Sequence, residues 1–333
     1  LSANDFNMSA FLDLAGPNAG SQKRPSTIKP DTLVTFANTV IKRGDANYTA
    51  DSTLISKLTS ASNVQVVAAD KDNKGKITKL KTIKEPIPYG SSNPQAYVER
   101  PVFSNINFRN CIIERGTNAL FVNCTFDGAT FVDGSSNLKS GDYNNGNSLR
   151  FESCTFTGPI AQGDINGGSN RGKAPPTFTH NNNKWEFTGD TVFDSDKPSL
   201  DGTTDTPALK EIKQQATIMA PQTSIDIGSF TNPGEARLRL RGVVVAGCID
   251  IRGVAEVDGS IIALDTRDAA DTVTLGYFGS DDSKTSAGGP GSEAGFRYGR
   301  IHIRYNPYRT LPDGINFAVS IMPDVSTWRE VMP

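Results

Sequence analysis

The sequence predicts a mainly β chain wound as a parallel β-helix, a solenoid with loop insertions, behind a small N-terminal helix and hairpin region. Three observations carry this. In "ALFVNCTFDGATFVDG", residues 119–134, Phe121, Phe126 and Phe131 stand five apart, each preceded two places earlier by a small residue, Ala119, Cys124 or Ala129. An α-helix scatters such a spacing around its barrel and a flat strand alternates it between two faces, whereas a chain that turns a corner every five residues keeps it on one side. In "LRLRGVVVAGCIDIRGVAEVDGSIIALD" glycines fall at 242, 247, 253 and 259 with Val and Ile between them, steps too short for hairpins with useful strands. Composition agrees, because Asn, Thr, Ser, Gly and Asp are abundant, a balance that suits β structure with many turns.

The chain divides into an N-terminal arm (1–30), a helix and β-hairpin region (31–100), the β-helix with its insertions (101–265) and a loop with closing strands (266–333). The arm shows no sustained period and carries Gly, Pro and Ser punctuation, so its Phe6, Met8, Phe11, Leu12 and Leu14 are expected to find cover against a neighbouring copy. In "DTLVTFANTVIKRG" the spacing of Leu33, Phe36, Ala37, Val40 and Ile41 predicts a helix over 31–44, with Asp31 as its cap and Gly44 as its end. "NVQVVAADKDNKGKITKLKTI" alternates apolar and polar residues on both sides of a polar turn and reads as a β-hairpin. Its Asp70, Asp72, Asn73 and Gly75 imitate a calcium loop, but Lys81 stands where a bidentate carboxylate is needed.

From Pro101 the five-residue register runs through Phe103, Phe108 and Ile113, then Phe121, Phe126 and Phe131, then Phe151 and Phe156, and Trp185, Phe187 and Val192 resume it. Over 101–156 this resembles the pentapeptide-repeat family, whose right-handed square β-helix buries one large and one small side chain on each face. A sandwich of aromatic strands is the alternative. "TDTPALKEIKQQ" predicts a short helix with Thr206 as cap and Pro207 at its first position. Beyond it, the glycine-stepped segment is similar to the β-helical rungs of bactofilin-type polymer-forming proteins, each turn covering the face its neighbour cannot bury alone. "GRIHIRY" is expected to place Ile301 and Ile303 on one side and Arg300, His302 and Arg304 on the other. The order of "FTGDTVFD", "ATIMAPQTSIDIGSF", "RLRGVVVAGCIDIRGVAEVDGSIIA" and "GRIHIRYNPYRTLPDGI" over 185–333 resembles large pilus-assembly, minor-pilin-like envelope proteins of planctomycete type. Those proteins carry an N-terminal hydrophobic anchor, and no comparable segment stands in this sequence.

The charge balance, Lys+Arg 34 against Asp+Glu 36, lacks the basic block that tracks a phosphate backbone, so nucleic acid is not expected as a partner. No run approaches the length of a membrane-spanning segment. Cys111, Cys124, Cys154 and Cys248 read as buried thiols, three of them at one repeat position. His180 and His302 stand far apart with no paired Cys spacing, which gives zinc little material. "GSFTNPG" and "GGPGSEAG" lack the setting of a nucleophile elbow, and "TSAGGPGSEAG" lacks the Lys-Ser/Thr pair of a phosphate loop and reads as a surface spacer. Asp250, Glu256, Asp258 and Asp265 lie near one another in the coil, with Arg241 and Arg252 as groups for acidic sugars. That set fits a polysaccharide lyase or hydrolase on a β-helical groove, although Asp is common at tight turns for solvation alone. No catalytic, cofactor or metal residue is therefore assigned, and no enzyme activity is expected.

The resulting expectation is a structural, self-assembling subunit of a bacterial surface filament, pilus-like appendage or envelope layer. It would act outside the cell or at its surface, with a leader or anchor removed or absent from this chain. Its partners would be copies of itself, other envelope or pilus components, and glycans. The alternative is a glycan-binding adhesin or tailspike-like β-helix.

Overall fold

The computed structural model describes residues 8–15, 34–46, 48–49, 52, 55–56, 64–86, 97–134, 146–165, 184–197, 205–227, 238–252, 254–264, 273–276 and 300–306. These residues are mainly β, and their strands join one large mixed sheet. Most of it consists of three parallel ladders. The first runs from residues 102–104 through Leu120–Val122, Leu149–Glu152, Lys184–Thr188, 224–227 and 249–252 to Val273–Gly276. The second runs from Val34–Ala37 through 106–109, 125–127, Thr155–Phe156, Val192–Phe193, 238–241 and 254–258 to Arg300–Arg304. The third runs from Val40–Ile41 through 111–113, 130–133, Ile160–Gly163, 216–220 and 243–246 to 260–263. The chain visits first, second and third ladder in turn, then returns to the first one strand further along, a step of about 4.8 Å.

The corners explain the five-residue spacing. Asn105, Asn123 and Ser153 connect first to second ladder with φ of 55°, 51° and 52°, a left-handed conformation that Asn tolerates better than most side chains. Each corner N–H donates to a carbonyl on the next strand: Asn105 to Val122 at 3.0 Å, Asn123 to Glu152 at 3.0 Å and Ser153 to Thr188 at 3.0 Å. One corner residue between two inward pairs sets Phe121 and Phe126 five apart and both inside. The second corner holds Asn38 and Asn110, each at φ 48°, and then Gly128 at φ 72°.

At Gly128 the register slips, and the slip corrects one expectation. Phe108 pairs with Phe126, but Cys111 pairs with Thr130 and Ile112 with Phe131, so one extra residue sits in this corner. A one-residue shift reverses which side chains face in. Phe131 is fully buried but not in the stack with Phe121, Phe126 and Cys124. It lies on the outward side of the third ladder, beneath helix α1 (Ser9–Ala15), with Met8, Phe11 and Leu12.

Glycine at 158 is required by backbone approach: a Cβ there would stand 2.0 Å from the carbonyl oxygen of Gly128 and 2.6 Å from its carbon. Neither atom can move without parting the ladder. Gly158→Ala is therefore expected to cost about 3 kcal/mol, the upper end for overpacking, while Gly44→Ala, with nothing within 4 Å of its Cβ position, stays near neutral. Chemical denaturation of the two variants checks this.

The interior is built on two columns of phenyl rings. Phe103, Phe121, Phe151 and Phe187 stack along the first ladder at centroid distances of 5.2, 5.3 and 5.0 Å. Phe36, Phe108, Phe126, Phe156 and Phe193 stack along the second at 6.4, 5.3, 4.8 and 4.4 Å. Edge-to-face contacts such as Phe121–Phe126, 5.1 Å and 82°, lock the columns together. Beyond Phe187 and Phe193 the same core continues with Ile227, Leu240, Ile251 and Val257. Cys111, Cys124 and Cys154 lie in this core, and all four cysteines are buried free thiols. Burial pushes the Cys111 thiol up to about 12, against the smaller opposing effect of its contact with Thr130.

Three further expectations change. The helix over 31–44 is instead two strands, Val34–Ala37 and Val40–Ile41, on either side of the Asn38 corner. Its helix-like spacing arises because a corner between two short strands also brings positions three and four apart to one side, and the β-branched Val34, Thr35, Thr39, Val40 and Ile41 favour the pleated form. In the arm, Met8, Phe11, Leu12 and Ala15 are buried against this chain's own third ladder rather than against a neighbour. Phe193, not Val192, takes the inward place after Phe187.

The hairpin and the second helix form as the sequence predicts. Gln65–Lys71 pairs antiparallel with Ile77–Pro86, which pairs in turn with Tyr97–Ser104. In the turn, the Asp72 carboxylate accepts from Lys74 N at 2.9 Å and Lys76 N at 2.8 Å, so the turn's own amides occupy one of the oxygens that the calcium reading would use. Helix α2 (Pro207–Gln215) starts with Thr206, whose hydroxyl accepts from Leu209 N at 3.2 Å. Its Leu209 and Ile212 cover the third ladder beside α1. The Gly-rich loop at 285–295 and Trp328 lie outside the described residues.

Candidate functional site

Strand alternation sends every second side chain outward, and parallel register aligns them in columns. Near the far end of the second ladder this produces a six-residue grid: Arg239, Glu256 and His302 in one column, Arg241, Asp258 and Arg304 in the other. These six line a shallow cleft. Its carboxylates are held by the cations of adjacent strands, Glu256 by Arg239 at 3.4 Å and Asp258 by Arg304 at 2.8 Å. Asn306 also donates to Asp258, at 3.2 Å. Arg241 reaches sideways to Asp196 at 2.8 Å and Asp194 at 3.7 Å. Such exposed pairs add little to stability and exchange readily for other hydrogen-bond partners.

Glu256, Asp258 and Arg241 are thus brought together as the sequence reading placed them, and His302 joins them. Asp250 is separated from that set. It stands on the first ladder, in register with Asp226 and Thr274. Asp265, His180 and the side chain of Arg252 lie outside the described residues.

A second cluster lies on the outward side of the first ladder, and it is buried. Arg100, 1% exposed, donates from Nε to Glu85 at 2.7 Å and from Nη1 to the Ser148 carbonyl at 2.5 Å. Glu85 also accepts from Arg150 at 3.1 Å, and Arg150 reaches Glu152 at 3.3 Å. Further along, Glu186 stands 3.8 Å from Arg100 and 3.3 Å from Lys184, whose ammonium lies 2.5 Å from Asp226. Burial works against the charge on each of these groups, and the partners decide the outcome. For Glu186 the cations Lys184, Arg100 and Arg150 overcome burial and hold the carboxyl at about 2. Arg150 is likewise raised, by Glu85, Glu152 and Glu186 against burial. For Asp226 burial wins over Lys184, with Glu186 and Asp250 adding to it, and the carboxyl rises to about 7.

The sequence reading missed this belt, whose members lie up to 141 positions apart, from Glu85 to Asp226. The available signal was a charge between or beside inward apolar residues, as in "LRFE", "KWEF" and "SIDI". A third ionic cluster serves the return from third to first ladder. There Arg115 grips Asp133 with two bonds, 2.9 and 3.0 Å, and Asp164 with one of 2.8 Å.

No family model, no curated protein and no solved structure matches this chain.

Proposed function

We propose that the three ladders wind as one parallel β-helix and that the protein is a structural, self-assembling subunit of a bacterial surface filament, pilus-like appendage or envelope layer, working outside the cell. The observation that carries this reading is the end of the second ladder. Among the described residues, Arg300–Arg304 pairs on one side only, with 254–258, and Ile303 and Tyr305 beside it are 42% and 73% exposed. An unpaired edge with apolar side chains is a template for another chain. The buried charges support it further, because each is spent on tying strand to strand. Helix α1 belongs to the subunit's own core, so the contact between copies is assigned to the C-terminal strand.

Electron microscopy and sedimentation of purified protein test this. Filaments, sheets or concentration-dependent oligomers are expected, and Ile303→Lys with Tyr305→Ser should abolish them without lowering the melting temperature. A wild-type protein that stays monomeric at high concentration overturns the reading. Glycan binding then moves ahead, on the strength of the polar cleft lined by Arg239, Arg241, Glu256, Asp258, His302 and Arg304.

A further inference from the structure

We propose that Lys184, Glu186, Asp226 and Asp250 form a pH-sensitive clasp across the middle of the first ladder, closed when Asp226 carries a proton and loosened when it does not. The argument starts from register. Glu186, Asp226 and Asp250 occupy consecutive places in one column of parallel strands, so three carboxylates follow one another at about 4.8 Å steps. One ammonium, Lys184, serves this stretch and is itself shared between Glu186 at 3.3 Å and Asp226 at 2.5 Å. Glu186 has the further support of Arg100 and Arg150, so it keeps its charge. Among the described residues Asp226 has no such second cation. Only 2% exposed, it leaves its Oδ1 with no hydrogen-bond donor, and a bare buried carboxylate oxygen is costly in a way that a protonated carboxyl is not.

Among the described residues, the charged groups facing Asp226 are Lys184 and Glu186 from one flanking strand and Asp250 from the other. Two of the three repel a negative charge there. Such a carboxyl takes up a proton near neutral pH.

The direction of the stability change follows. Asp226 is raised from its ordinary 3.8 to about 7 by burial, so the native state holds a proton that the unfolded chain releases. Its contribution is complete below about pH 4 and is lost as pH rises to about 7. Glu186, lowered to about 2, acts oppositely: it adds stability above about pH 4.5 that disappears only in stronger acid. Between pH 5 and 7 the two therefore separate, Glu186 having nearly completed its change while Asp226 is losing its proton.

The test is denaturant unfolding of the full chain between pH 5 and 8.5, for wild type and Asp226→Asn. Wild type is expected to lose about tenfold in its folding equilibrium constant per pH unit from 5 to 7, and Asp226→Asn is expected to lose this slope and to exceed wild type at pH 8. A wild type without the slope, or a variant that retains it, overturns the proposal. Infrared spectroscopy of native wild type reads the proton directly and does not depend on the variant folding. A buried protonated-carboxyl band present at pH 5.5 and gone at pH 8.5 supports the clasp; its absence at pH 5.5 refutes it.

Discussion

Phe126→Ala lowers the unfolding free energy by about 3–5 kcal/mol, the range for removing a ring from a packed core. The position justifies the upper half of that range. Phe126 is fully buried and touches rings on both sides of its own column, Phe108 at 5.3 Å and Phe156 at 4.8 Å, and two in the other, Phe121 at 5.1 Å and Phe151 at 5.5 Å. Truncation leaves a void between fixed strands, since the corner hydrogen bonds at Asn123 and Ser153 hold the backbone spacing and prevent collapse. Phe126→Leu should lose about half as much, because it restores part of the volume. Urea denaturation measures both. A loss of less than about 1 kcal/mol for the alanine variant would show that the ring columns are not what the fold rests on.

Arg100→Met gives an effect of similar size for a different reason. The guanidinium is almost completely buried and ties Glu85 of the antiparallel hairpin to Ser148 beside the first ladder. Removing it leaves Glu85, among the described residues, with Arg150 as its remaining cation and takes from Glu186 one of the cations that hold it ionised. Breaking a buried pair from one side costs about 3–5 kcal/mol, because an uncompensated charge remains. The double variant Arg100→Met with Glu85→Met should recover a large part of that loss. If single and double variants are equally unstable, Arg100 acts through packing of its stem and not through its charge.

How much of this was legible in the sequence depends on the range of the physics involved. The five-residue spacing of Phe103 and Phe108, Phe121 and Phe126, and Phe151 and Phe156 is local, set by one left-handed residue between two short strands, and it predicted inward positions that the structure contains. Thr206 and Pro207 were equally local and gave α2. Phe131 was misplaced because a single additional residue at Gly128–Ala129 reverses facing, and a spacing of five looks the same before and after the slip. Residues 31–44 were misread because a corner imitates helical spacing over so few residues. The buried belt was illegible for a stronger reason. Glu85, Arg100, Arg150, Lys184, Glu186 and Asp226 look like ordinary outward charges in their own strands, and only the register between strands far apart in sequence brings them together. The cleft was half legible: Arg241, Glu256 and Asp258 come from adjacent short strands and were grouped correctly, whereas Asp250 turned away because an intervening corner moved it to another ladder.

The uneven connections between ladders also bear on how such a chain can lengthen. The early first-to-second corners are only one or two residues, 105, 123–124 and 153–154, each pinned by a backbone bond, but the return from third to first ladder takes residues 114–119, then 134–148, then 164–183. Loop closure grows only with the logarithm of length, about 0.6 kcal/mol for each doubling, so segments inserted in these returns add little cost while the parallel ladders keep their register. A peptide tag or a small domain grafted between Gly134 and Gly146 should therefore leave the ladders paired, whereas a single residue added beside Asn123 would turn Phe126 out of its column of rings.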